Sequence, residues 1–215
     1  MTPAWPSHPT EPPDRPDRRA WLRRAADGGW AAAAATAAAA LPGFAHAHDG
    51  LGPVTPPLAA PALPLQLHDG RSTILPAVLQ GRVTAVHLMF TGCSAICPVQ
   101  GAVFAELQAL VGGPLPKAQL LSISIDPIAD DAVALSAWRR RFGAGAAWLA
   151  AAPPVRHAEA MPAFLDGRRA RQATGDRHNA QVYLFDRQGR LTYRCAEFAS
   201  ARSIAQAMQQ LAARA

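Results

Sequence analysis

The stretch that decides the fold runs from Val83 to Pro98 and reads VTAVHLMFTGCSAICP. Its first half, residues 83–90, is a continuous apolar run, which is typical of a strand buried on both faces. Its second half opens a helix, because Pro98 suits a first-turn position that needs no backbone N–H. Two cysteines, Cys93 and Cys97, therefore lie where a buried strand passes into a helix.

The spacing of these cysteines predicts their chemistry. Residues i and i+4 share one helix face, with Cβ atoms roughly 6 Å apart, so two thiolates can hold one soft metal ion. A disulfide requires the Cβ atoms to approach to about 4 Å. The unpaired N–H groups and the dipole at a helix start favour the thiolate form. The pair is therefore predicted to be a metal clamp, a redox switch, or both.

Other elements alternate along the chain and predict the fold class. A hairpin is expected over 65–71 with its turn at Asp69-Gly70, since Asp-Gly is a strong hairpin signal. Strands are expected at 83–90, 119–125, 147–150, 181–186 and 190–195, and helices at 98–111, 131–142, 155–166 and 200–214. This order predicts an α/β, thioredoxin-like sandwich with a central mixed sheet flanked by helices and an N-terminal hairpin.

Composition excludes several classes. The chain has 215 residues, a net charge of +6 and three cysteines, too few for a disulfide scaffold. From His48 onward there are 16 basic and 11 acidic residues, a net charge of +5. The positive charges are dispersed and have no interleaved aromatic residues, so we predict no nucleic-acid binding.

The N-terminus has the features of an export signal over residues 1–47. Arg18 and Arg19 precede a small-residue apolar run at 28–41, and the segment ends in a small-residue cleavage pattern, 45–47. The paired arginines resemble a twin-arginine signal, with an ordinary secretory signal or an uncleaved anchor as alternatives. We expect the mature protein to be periplasmic and to have no stable membrane span.

Residues 48–64 are proline-rich and are expected to form an extended linker, which leaves 65–215 as the folded domain. If cleavage follows Ala47, the new terminal amine and His48 could bind copper, as could His46 with His48 in a longer form. We prefer the interpretation that His46 and His48 are both linker residues without a ligand role.

His178 is the candidate third ligand. It lies in the polar segment 174–180, just before a predicted buried strand, and in the predicted fold that loop faces the start of the first long helix. Two sulfurs and one imidazole suit copper, because thiolates select Cu(I) and imidazole suits both Cu(I) and Cu(II). Asp176 could orient the imidazole.

The remaining cysteine and histidines are interpreted more simply. Cys195, on a strand, is expected to be a small core residue, with a redox or ligand role as the alternative. His87 is expected to be a core histidine with its hydrogen bonds satisfied. His68 and His157 are expected at the surface.

Three sequence blocks resemble the Sco/SenC family. They are Phe90-Thr91-Gly92-Cys93-x-x-x-Cys97-Pro98, then residues 122–127 with Asp130 and Phe142-Gly143, then the Asp-x-His-Asn loop at 176–179 followed by 182–191. The resemblance covers about residues 65–215 and implies a thioredoxin-like copper chaperone for the dinuclear copper centre of cytochrome c oxidase. It implies Cys93, Cys97 and His178 as copper ligands. Unlike many family members, the chain has no Asp between its two cysteines.

A thiol–disulfide oxidoreductase is the competing interpretation, and some family members reduce the cysteines of that copper site. Disulfide-exchange enzymes of this fold generally place a cis-proline opposite the reactive pair, but this chain has no proline after Pro162. An exported protein is in an oxidising compartment, so Cys93 and Cys97 would form a disulfide unless a reductant acts. The expected partners are the copper-bearing subunit of cytochrome c oxidase or another cuproprotein, and a thioredoxin-like reductant.

Overall fold

Strand β4 (Val83–Met89) runs through the middle of an eight-stranded sheet, as its apolar sequence predicts. It pairs parallel with β5 (Ala118–Ser124) and antiparallel with β7 (Tyr183–Phe185). All seven residues of β4 and all seven of β5 are buried, because each strand has a strand on both sides and helices on both faces.

The computed structural model describes residues 51–166 and 180–214. The sheet order is β1-β8-β7-β4-β5-β6-β2-β3. The remaining strands are β1 (Gly52–Ala59), β2 (Pro64–Leu67), β3 (Ser72–Ile74), β6 (Trp148–Ala152) and β8 (Arg190–Arg194). The helices are α1 (Leu75–Leu79), α2 (Ile96–Val111), α3 (Ala132–Arg141), α4 (Ala160–Asp166) and α5 (Ala201–Ala213), with a 3₁₀ turn at Val155–His157.

The two faces of β4 contribute to different parts of the core, as the alternation of side chains along a strand requires. Val83 and Ala85 pack with residues of α2 and α5, including Phe104 and Met208. Val86 and Leu88 pack on the opposite face with residues of α1 and α4. The prediction of a mixed sheet flanked by helices, with a hairpin before β4, is confirmed.

The interpretation of residues 48–64 as an extended linker is wrong for 52–59. These residues form β1, which pairs antiparallel with β8 at one edge of the sheet. Proline is tolerated in an edge strand because its missing N–H removes no ladder hydrogen bond on the outer side. The prolines suggested a linker, but at the edge of the sheet they are compatible with a strand, and this segment belongs to the folded domain.

Two helix predictions are also corrected. The helix expected over 155–166 is divided into the 3₁₀ turn and α4, because Pro162 lacks an N–H and belongs in the first turn of a new helix. Helix α1 was not predicted, since five residues are too few for a clear period. Within the described residues, no helix is both long enough and apolar enough to span a membrane.

Residues 1–50 and 167–179 lie outside the described part of the chain. The predicted export signal, the ligand roles of His46 and His48, and the positions of His178 and Asp176 therefore remain predictions.

Candidate metal and redox site

Cys93 lies in the turn from β4 into α2, and Cys97 lies in the first turn of α2. Cys93 N–H donates to the Phe90 carbonyl at 3.2 Å, which closes the turn, and α2 begins at Ile96. Cys93 therefore precedes the helix, and the expectation that both cysteines share one helix face is corrected. The turn still brings them together, because the Cys97 N–H donates to Cys93 Sγ at 3.3 Å.

The two thiols have different environments and different acidities. Cys93 is half-buried, whereas Cys97 is only 5% exposed. Burial acts to raise the pKa of Cys93, but hydrogen bonds from the Cys97 thiol and from the backbone of residues 95–97 outweigh it, so the pKa is lowered. Burial raises the pKa of Cys97 to about 12, and the hydrogen bond with Cys93 adds to this effect. Cys93 is thus the accessible and more acidic thiol, and Cys97 is the shielded and less acidic one.

The turn is held from the side of β5 by a buried carboxylate. Asp130 accepts hydrogen bonds from Thr91 N–H at 3.1 and 3.2 Å and from Thr91 Oγ1 at 2.5 Å. Ser124 Oγ, at the end of β5, donates to the same carboxylate at 2.6 Å. The turn before Cys93 is therefore tied to the loop that follows β5.

Apolar packing holds the Cys97 side of the turn. Cys97 packs in a cluster with Met89 of β4 and with Leu135 and Trp138 of α3. One turn further along α2, a Cβ at Gly101 would lie 2.5 Å from the Phe142 ring. Helix α2 therefore approaches the end of α3 closely, at a point where a residue larger than glycine requires the Phe142 ring to shift.

Helix α2 also contacts the chain just after the undescribed segment. Gln100 Nε2 donates to the Ala180 carbonyl, and the buried Gln100 Oε1 has no hydrogen-bond partner among the described residues. Ala180 is two residues from His178, which itself lies outside the described residues. Among the described residues, no group of three or more His, Cys, Asp or Glu is arranged to hold a metal ion. The two cysteines are therefore brought together, and their role as copper ligands remains a prediction, as does any third ligand.

The other predicted residues lie away from the turn. Cys195 is buried among the side chains of α2 and α5, and burial raises its pKa to about 12, so its core role is confirmed. The prediction that His87 has its hydrogen bonds satisfied is half right: Nε2 contacts Ser122 Oγ at 2.6 Å, but the buried Nδ1 has no partner in the described part of the chain. His68 and His157, expected at the surface, are half-buried.

Sequence reasoning missed the role of Asp130. Its neighbour Asp131 caps α3, since the Asp131 side chain accepts from Ala134 N–H at 2.8 Å. Asp130 turns inward instead. The only sequence signal was its place in one of the three blocks, because the contact with Thr91 joins positions 39 residues apart.

The fold and the site together define a thioredoxin-like protein with a CxxxC pair at the start of its first long helix. The SCO1/SenC family profile matches residues 64–213, and the chain belongs to this family.

Solved structures show the same fold. A SCO1/SenC family lipoprotein from Bacillus anthracis is 22% identical, with a TM-score of 0.62, and covers 74% of this chain and 99% of its own. ScoI from Bradyrhizobium japonicum, solved with copper bound, is 18% identical with a TM-score of 0.57, covering 72% and 99%. BsSco, described as a member of the Sco family of cytochrome c oxidase assembly proteins with a disulfide switch, is 20% identical with a TM-score of 0.59, covering 74% and 96%. No significant match is found among curated proteins.

Proposed function

We propose that this protein is an exported copper metallochaperone. It binds copper through Cys93, Cys97 and His178 and delivers the ion to the dinuclear copper site of cytochrome c oxidase or of a similar cuproprotein. The observation that carries the proposal is the contact of 3.3 Å between Cys93 Sγ and Cys97 N–H in a protein of the SCO1/SenC family. The copper-bound state of several structural relatives supports copper as the cargo.

The difference between the thiols suits capture and release. Cys93 is accessible and supplies the first thiolate, and copper then displaces the proton of Cys97, because a metal ligand must be deprotonated. Release is a stepwise ligand exchange in which partner thiolates bind copper while its bonds to Cys93, Cys97 and His178 break in turn, and the protons lost by the partner thiols return to the two cysteines. The oxidation state of the ion does not change in this exchange.

The proposed location adds a redox requirement. In the periplasm, Cys93 and Cys97 would be oxidised to a disulfide, which cannot supply two thiolates. A thioredoxin-like reductant must deliver two electrons and two protons to the pair before copper binds. We propose that residues 1–47 are removed on export, by the twin-arginine route.

Copper titration of the reduced full-length protein tests the proposal. Cu(I) is added against a competing chelator to wild type, Cys93→Ala, Cys97→Ala and His178→Ala, with Cys195→Ala as the matched control. We expect one tightly bound copper per chain, weakened at least tenfold by each of the first three substitutions and unaffected by the control. Weak binding that is indifferent to His178→Ala would contradict the proposed ligand set.

A thiol–disulfide reductase is the second candidate, and the unequal acidity of the two thiols favours it. The Cys93 thiolate would attack a partner disulfide to give a mixed disulfide and a partner thiolate, which takes up a proton. Cys97 would then lose its proton and attack Cys93 Sγ, leaving the Cys93–Cys97 disulfide and a partner dithiol. Rapid reduction of an oxidised copper-site peptide by wild type, together with weak copper binding, would favour this function over the chaperone.

A further inference from the structure

The buried carboxylate of Asp130 stands out because nothing neutralises it among the described residues. Its side chain is 1% exposed, yet its hydrogen-bond donors, Thr91 and Ser124, are all neutral groups. A buried carboxylate is costly unless it is hydrogen-bonded or paired with a cation. Among the described residues, this carboxylate is stabilised by hydrogen bonds and not by a cation.

A second buried carboxylate at this sheet, Asp186, differs from Asp130 because it is paired with a cation. Asp186 is also buried, at 3% exposed, but it forms an ion pair of 2.8 Å with Arg190. It follows β7, which runs antiparallel to β4, so it lies at the opposite end of the sheet from Cys93. Asp130 follows β5, which runs parallel to β4, and so lies at the same end as the cysteines.

The hydrogen bonds of Asp130 connect it to the cysteine turn. They hold Thr91, two residues before Cys93, and so fix the turn that brings Cys93 to Cys97. They also place the buried carboxylate 3.1 Å from the Thr91 nitrogen, at the end of the sheet where the cysteines lie. The carboxylate is therefore placed to act on the pair both through the backbone and through its field.

We propose that Asp130 is a positioning residue for the CxxxC turn and a fixed negative charge that biases a thiolate-bound copper ion toward Cu(II). The second part rests on the copper binding proposed above. Two thiolates with Cu(I) carry a net charge of −1, whereas two thiolates with Cu(II) are neutral. A nearby buried anion repels the first state and not the second, and a low local dielectric strengthens the difference.

Three substitutions separate the two roles. Asp130→Asn removes the charge but keeps the shape and one acceptor. Thr91→Val removes the hydroxyl donor and keeps the charge. Asp186→Asn is the matched control, since it removes a buried carboxylate at the far end of the sheet.

Two measurements are made on each full-length variant: the Cu(II)/Cu(I) potential of the loaded protein, and the equilibrium of the Cys93–Cys97 disulfide with glutathione in the apoprotein. Asp130→Asn should raise the Cu(I)-to-Cu(II) affinity ratio roughly tenfold, which is about 59 mV for one electron. Asp130→Asn and Thr91→Val should both make the disulfide several-fold easier to reduce, because a looser turn lowers the effective concentration of the thiols. Thr91→Val should leave the copper potential near that of wild type, and Asp186→Asn should change neither quantity.

An unchanged copper potential in a folded, copper-loaded Asp130→Asn protein would overturn the charge role. An unchanged disulfide equilibrium in Thr91→Val and Asp130→Asn would overturn the positioning role. If wild type bound no copper, the proposed function and the oxidation-state bias would fall together, and the disulfide equilibrium alone would decide the positioning role.

Discussion

At the scale of single residues, the site is made of two cysteines that the fold makes chemically unequal. Cys93 receives backbone hydrogen bonds at the start of α2 and stays half-exposed, whereas Cys97 is enclosed by apolar side chains. A helix start stabilises a thiolate, and an apolar enclosure opposes one. The same residue type therefore has two roles within one turn.

This inequality predicts selective alkylation. In a Cys195→Ser background, iodoacetamide should modify Cys93 first at neutral pH, because its lowered pKa and exposure increase the reactive thiolate. The rate for Cys93 should rise with pH and level off above its pKa. The rate for Cys97 should stay low until the pH approaches about 12 or the protein unfolds. Mass spectrometry of the time course checks this, and equal labelling of both cysteines at pH 7 would contradict it.

His87 makes the fold sensitive to acid. Burial lowers its pKa from 6.5 to about 3, so the unfolded chain binds a proton that the folded chain does not. Above pH 6.5 the neutral His87 does not lower the free energy of unfolding. Below pH 6.5 the free energy of unfolding falls steadily until the pH reaches about 3. Between pH 7.5 and 4 the loss should be about 3 kcal/mol, at 1.36 kcal/mol per pKa unit.

Urea unfolding at a series of pH values measures this loss. His87→Gln should flatten the acid side of the stability profile, whereas the half-buried His157→Gln serves as the control. A His87→Gln protein that loses as much stability as wild type between pH 7.5 and 4 would show that other groups dominate.

At the scale of elements, the position of α2 depends on its contact with the end of α3. Gly101 gives the Phe142 ring room against α2, and the Phe142 ring also packs at a tilt against Trp138, with 4.6 Å between the ring centroids. Asp131 caps α3 at its other end through Ala134 N–H. The helix that begins with the cysteine turn is thus fixed by a close packing contact one turn beyond Cys97.

Gly101→Ala should therefore destabilise the protein despite the helix preference of alanine. The new Cβ would lie 2.5–2.8 Å from three Phe142 ring atoms, and overpacking of this kind costs about 1–3 kcal/mol. Gly113→Ala, where no atom lies within 4 Å of the added Cβ, is the matched control. Denaturant midpoints decide the comparison, and equal midpoints for the two variants would contradict it.

At the scale of the whole domain, the site is remote from the edge strand β1. The sheet order places β8 and β7 between β1 and β4, so β1 reaches the cysteine turn only through two other strands. Most of β1 is exposed, and its main contribution is pairing with β8. Strand β1 protects an edge that would otherwise be open to pairing with another chain.

Removal of residues 1–59 should therefore lower stability and leave copper binding intact. Since a few ladder hydrogen bonds are lost, each with a small net value, we expect a loss on the order of 2 kcal/mol and a greater tendency to aggregate. Urea unfolding and copper stoichiometry of the truncated protein test this. A truncated protein that folds but no longer binds copper would show that the edge strand supports the site.

The sequence alone determined the local features of this protein. Continuous apolar runs identified β4 and β5, Pro98 indicated the start of a helix, and Asp69-Gly70 predicted the hairpin, because each signal depends on residues close together in the chain. The alternation of strands and helices was enough for the fold class, whereas the CxxxC spacing predicts two sulfur ligands and this role stays a prediction.

Only the tertiary structure decided which residues act together across long sequence separations. It placed Asp130 against Thr91, 39 positions away, and Gln100 against Ala180, 80 positions away. It also showed that proline-rich residues 52–59 are a strand, because an edge position removes the penalty that proline has inside a sheet. The acidity of Cys93 and Cys97 belongs to this level too, since burial and hydrogen bonding are properties of the packed chain and not of its sequence.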